Sequence, residues 1–120
     1  MNNEDFKVIF NTRKMIFLID KYLVNVPNRE KALTDRIKNT SYDILEYIYL
    51  ANNLDKIKFK DKRIYYEYKA VSKINVLDFL IEEIYHKRYI SEKNFKEIIN
   101  YILGVNKLMR GWIKFEESNN

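Results

Sequence analysis

Along the last quarter of the chain, Phe95, Ile98, Ile102, Val105, Met109 and Trp112 recur at spacings of three and four. That period lines one face of an α-helix with apolar side chains. Such a stripe leaves water only by packing on other elements. The same spacing runs through three earlier segments. Ile9, Thr12, Ile16, Ile19 and Leu23 form one row, with Val8, Met15, Leu18 and Tyr22 beside it. Leu33, Ile37, Ile44, Ile48 and Ala51 form a second, and Ile64, Tyr68, Val71, Ile74, Leu77, Ile81 and Ile84 a third.

Breaks and caps bound these rows. Asn3 suits a helix N-cap, with Glu4 and Asp5 at the positive end of the first helix. Asn25-Val26-Pro27 stops that helix, and Pro27 is tolerated in the first turn of the next. Asn39-Thr40-Ser41 is a weak spot in the second helix, which ends at Asn52-Asn53. Ser91 caps the fourth helix and Glu92 lies in its first turn. The pattern predicts helices over about 5–24, 28–51, 62–87 and 91–114, with 116–120 as a frayed tail. Lys56-Ile57-Lys58-Phe59-Lys60 alternates like a strand, but no second strand exists to pair with it, so 54–61 reads as a loop. The expected fold is all-α: an up-down-up-down four-helix bundle forming a single domain over 1–120.

Composition supports this reading. With Gly 2 and Pro 1, the chain lacks the turn residues a sandwich or barrel needs. Hydrophobic content of 47% excludes disorder. The absence of cysteine removes disulfides, thiolate catalysis and Cys-based metal sites. The longest apolar run, Met15 to Ile19, is far too short to span a membrane, and the acidic N-terminus does not resemble a signal peptide. These features lead us to expect a cytoplasmic protein with no membrane partner.

The inventory for catalysis is thin. His86 is the single histidine and stands beside Lys87 and Arg88 near a helix end. Glu83 and His86 have the spacing that di-iron bundles use, but a second copy would need a second histidine. No Gly-rich loop is present to cradle a phosphate. The expectation is a protein that is not an enzyme, with no catalytic residue, no metal and no cofactor.

A net charge of +5 permits an anionic partner. Two groups of cations stand out. Lys107, Arg110 and Lys114 fall on one exposed face of the fourth helix. Lys56, Lys58, Lys60, Lys62 and Arg63 crowd the loop, with Ile57 and Phe59 interleaved. Cations with interleaved aromatics suit phosphate contact. Cations near a helix C-terminus also favour the macrodipole, and a charged loop also discourages aggregation. Tyr42, Tyr47, Tyr49, Tyr65, Tyr66 and Tyr68 cannot all face one core, and tyrosine is favoured at protein interfaces.

The string Val105-Asn106-Lys107-Leu108-Met109-Arg110-Gly111-Trp112-Ile113 resembles the end of the Avd family, the accessory variability proteins of diversity-generating retroelements. That family ending reads Ile-Gly-Arg-x-Leu-Gly-Gly-Trp-Ile. Pro27 followed by Arg36-Ile37, and Leu77 with Phe79-Leu80, are further points of similarity. Avd proteins belong to a broader set of small four-helix bundles that includes the 23S rRNA intervening-sequence proteins. The Asn-Ile-Ala-Glu-Gly motif of that second branch is absent here. Asp78, Glu82 and Glu83 stand where Avd-like proteins carry arginines.

The resemblance implies a bacterial or phage accessory protein, a homopentameric barrel, and partnership with a reverse transcriptase and its template RNA or cDNA. Nucleic-acid contact is then expected at Lys107, Arg110 and Lys114, and second at Lys56, Lys58, Lys60, Lys62 and Arg63. Gly111, Trp112 and Pro27 are expected to be structural, with Gly111 permitting a close approach and Trp112 anchoring the end of the core. The alternative is a protein–protein interaction bundle of the same family with no nucleic-acid role.

Overall fold

A computed structural model describes residues 3–118, with side chains from residue 5 onward. Four helices run in order: α1 (Asn3–Leu23), α2 (Lys31–Asn52), α3 (Lys60–His86) and α4 (Glu92–Ser118), with a short 3-10 turn, Asn28–Glu30, ahead of α2. The described residues contain no strand. Each helix packs on its two neighbours in a closed cycle, and the diagonal pairs α1–α3 and α2–α4 make no backbone contact. The result is an up-down-up-down four-helix bundle about 48 Å long, as expected for helices of this length at about 1.5 Å per residue.

The connections follow from local chemistry. Pro27 adopts extended backbone (φ −61°, ψ 152°), and its carbonyl accepts the Glu30 amide. It therefore stops α1 and starts the 3-10 turn, and α2 proper begins three residues later than the sequence suggested. Between α2 and α3, the Asp55 carboxylate accepts the amides of Ile57 and Lys58 at 2.9 and 2.7 Å. These two backbone bonds, Lys58 first, hold its carboxyl below the ordinary range. The chain turns here without a strand, and α3 starts at Lys60.

After α3, Arg88 takes a left-handed φ of 68°. Its amide reaches the Tyr85 carbonyl and the Tyr89 amide reaches that of Ile84, which is a Schellman closure. Ser91 then caps α4 through the Asn94 amide at 3.1 Å, as its sequence position suggested.

The core row of α1 and the apolar residues of α4 are placed as their spacing requires, with Met15, Ile19, Ile98, Val105 and Met109 fully buried. Asn39-Thr40-Ser41 does not interrupt α2. The Ser41 hydroxyl donates to the Lys38 carbonyl and Thr40 Oγ1 accepts from Arg36, so both hydroxyls are satisfied within the helix.

Three expectations are corrected. Tyr68 is exposed, because the core row at the start of α3 runs through Arg63 and Glu67 instead. Glu116 is not in a frayed tail: α4 continues to Ser118 and Glu116 is buried. Gly111 is exposed, and a Cβ built on it would meet nothing within 4 Å, so no close approach inside the chain requires a glycine there. The side chains of Asn3 and Glu4, the expected cap and first acid of α1, lie outside the described residues, as do Asn119 and Asn120.

Candidate nucleic-acid interface

The end of the bundle where α2 gives way to α3 is also where α1 begins and α4 finishes. Four ionisable side chains are buried there: Asp5, Arg63, Glu67 and Glu116. Arg63 is the organising group. Its Nη1 donates to the carbonyls of Ala51 and Leu54, both at 2.7 Å, satisfying acceptors at the C-terminus of α2. Its Nε and Nη2 both donate to Glu116 Oε1, at 3.1 and 2.7 Å. The guanidinium also sits over the Trp112 ring, 5.4 Å from the centroid. Trp112 thus anchors the end of the core as expected, and does so through a buried arginine.

Glu67 completes the cluster. Neither of its oxygens meets a hydrogen-bond donor. Burial, then the hydrogen bond to Glu116, then the charge of Glu116 push its carboxyl up to about 9. At neutral pH Glu67 is therefore a neutral acid. Its own proton makes it a donor, and Glu116 Oε2, the oxygen Arg63 leaves unused, can accept. Asp5 lies at 3.9 Å from Lys56 Nζ.

This geometry corrects one expected site residue. Arg63 is 1% exposed and fully committed to Glu116, Ala51 and Leu54, so it cannot reach a phosphate. A cation in the core row is stable only because three carbonyl or carboxylate oxygens and a ring face surround it. The remaining loop cations are on the outside. Lys56, Lys58 and Lys62 are exposed and Lys60 is partly so. Lys58, Lys60 and Lys62 border a shallow cleft of about 300 Å³ with Ile57, Phe59 and Asp61, and Lys58 lies over the Phe59 ring.

Lys107, Arg110 and Lys114 are all exposed on the outer face of α4. Among the described residues none of the three is held in an ion pair. Arg63 in the first turn of α3 pairs with Glu116 in the last turns of α4, so the bundle brings the α4 stripe and the loop lysines to the same end. Of the acids at this end, Asp61 is exposed among the loop lysines and others are engaged. Glu116 is buried, Asp55 holds the turn, and Glu117 accepts from the Tyr68 hydroxyl.

A second surface escaped the sequence reading. Phe6, Phe10 and Phe17 stand exposed on α1, and Phe6 stacks on Phe10. With Arg13, Lys14 and Tyr101 of α4 they line a cleft of about 570 Å³. Their spacing of four and seven was present in the sequence. It is a second apolar stripe on a helix whose first stripe already fills the core.

Among the described residues, no group of three or more His, Cys, Asp or Glu side chains is arranged to hold a metal ion, and no helix is long and apolar enough to cross a membrane.

The architecture defines an all-α four-helix bundle. No family model matches the chain, and no curated protein matches it either. A solved structure does: a protein of unknown function from the S23 ribosomal protein family of Bacteroides thetaiotaomicron VPI-5482. It superposes with a TM-score of 0.80 at 20% identity, over 92% of this chain and 98% of that one. At this identity the likeness is one of fold. It does not single out the Avd branch.

Proposed function

We propose that this chain is a non-enzymatic accessory protein of the Avd-like kind, which assembles into a ring and contacts nucleic acid through basic surfaces while serving a reverse transcriptase. One observation carries the nucleic-acid part. The fold gathers Lys56, Lys58 and Lys62 of the loop and Arg110 and Lys114 of α4 at one end of the bundle, where Asp61 is exposed and the acids Glu116, Asp55 and Glu117 are buried or hydrogen-bonded. Exposed cations held on rigid helices make several weak phosphate contacts, which are insensitive to base sequence and sensitive to salt. A ring repeats that surface and multiplies its avidity. The neighbour's fold supports the family reading, and the exposed Phe6, Phe10 and Phe17 support assembly.

Filter binding to RNA and DNA across a salt series tests this. Affinity is expected to fall as salt rises, with a slope of about 0.7–0.9 per phosphate contacted. Lys107→Glu with Arg110→Glu should weaken binding severalfold and flatten the slope. Absence of binding at low salt, or full binding by the double variant, would sink the contact scheme. The second reading is a protein-interaction bundle with no nucleic-acid role, favoured by the acids Asp78, Glu82 and Glu83 on α3. Capture of the reverse transcriptase by a chain that ignores bare nucleic acid would establish it.

A further inference from the structure

The cleft on the outer side of α1 has an apolar floor and a basic border. Phe6, Phe10 and Phe17 are 56%, 47% and 64% exposed. Leu18 of α1 and Tyr101 of α4 extend the apolar lining. Arg13, Lys14 and Lys21 stand along the edges, all exposed. Among the described residues none of the three is held in an ion pair. Glu97, the carboxylate in the lining, already accepts the Tyr22 hydroxyl. The cleft therefore sets three cations against one engaged acid.

Its shape is set by two rigid helices. Phe6 and Phe17 are eleven residues apart, which is three turns of α1 or about 16 Å. On the far side α4 forms a wall through Glu97 and Tyr101. A trough of this kind takes a helix lengthwise, whereas a bilayer is flat and meets only its crests. Exposed apolar surface favours association without naming the partner. The charges name it. A second copy docked α1 against α1 brings the same cations to the contact, and a basic partner is repelled in the same way.

We infer that the cleft is the docking site for an acidic amphipathic helix of a partner protein, about three turns long. Its apolar face lies on Phe6, Phe10 and Phe17. Its carboxylates meet Arg13 and Lys14 midway along the cleft and Lys21 at the end. The phenylalanines supply the buried area, and the cations select the sign of the partner and fix its register. The inference rests on the protein-partner part of the proposed function, and on neither its ring nor its nucleic-acid contact.

Fluorescence anisotropy of the full chain with stapled synthetic helices tests it, the staple removing the cost of ordering the probe. The probe is about 14 residues long, with leucines along one face and glutamates on either side of them. The control carries lysines in place of the glutamates. The acidic helix is expected to bind, and the basic one about tenfold more weakly or not at all. Phe10→Ser and Phe17→Ser should each weaken the acidic helix about tenfold while helicity is unchanged. Arg13→Glu with Lys14→Glu should reverse the preference between the two probes. An acidic helix that does not bind, equal binding of both probes, folded phenylalanine variants with full affinity, or a charge-reversed chain that keeps its preference each overturns the inference. Two other occupants overturn it as well. Light scattering in which Phe17→Ser lowers the mass puts a second copy on this face. Cosedimentation with phosphatidylserine vesicles that Phe17→Ser abolishes puts a lipid surface there. A chain that captures the reverse transcriptase but ignores the acidic helix loses this inference and keeps its partner. Filter binding of RNA by Phe17→Ser should match the wild type, so that failure of docking and failure of the nucleic-acid contact are read apart.

Discussion

At Gly111 the outer surface of α4 carries a residue with no side chain in the middle of a helix, and nothing lies within 4 Å of where a Cβ would stand. Glycine there costs helix stability without any packing return inside the chain. Gly111→Ala should therefore stabilise the protein by about 0.5–1 kcal/mol, read as a higher midpoint in thermal or urea unfolding. A loss of stability would mean that the space is filled in an assembly. Arg88 is the opposite case. It adopts a left-handed φ that glycine would adopt more easily, because the turn into α4 needs that geometry to close on Tyr85 and Ile84. Gly111 is visible in the sequence, but its surroundings are not. Arg88 gave no signal at all, since the residue type usually seen at such a position is missing.

At the scale of the element, α3 shows how a core row can pass through charged residues. Its buried positions include Arg63, Glu67, Ala70, Val71, Ile74, Leu77, Ile81 and Ile84. Hydrophobic spacing identifies the last five, passes over Ala70 and misplaces the first two, substituting the neighbouring Ile64 and Tyr68. The partner that makes Arg63 tolerable, Glu116, is 53 residues away in sequence. Arg63→Met leaves Glu116 buried without its cation and should cost about 3–5 kcal/mol. Arg63→Met combined with Glu116→Leu removes both charges, and most of that loss should disappear. Urea midpoints for the two variants decide this. A double variant as unstable as the single one would show that the carbonyls of Ala51 and Leu54, which also lose their donor, dominate the cost.

At the scale of the whole molecule, the charged end makes folding stability depend on pH. Glu67 is neutral in the fold until about pH 9, whereas in an unfolded chain it ionises near its ordinary value of 4.5. Between those values the folded state holds one more proton than the unfolded state. Stability attributable to this group therefore falls as pH rises across that window, by up to about 1.4 kcal/mol per unit. Glu67→Gln keeps a donor for Glu116 and carries no titrating proton, so its unfolding midpoint should vary less between pH 5 and 9 and exceed that of the wild type at the alkaline end. Equal slopes for the two proteins would refute this. The sequence by itself determined the helix count, their order and the apolar rows that bury the core, because period and turn composition are local properties of a chain. It also marked the α4 cations, because helical spacing alone puts them on one face. Only the tertiary structure decided which charges face inward and which cations share an end of the bundle. Those are relations between helices distant in sequence, and packing is what sets them.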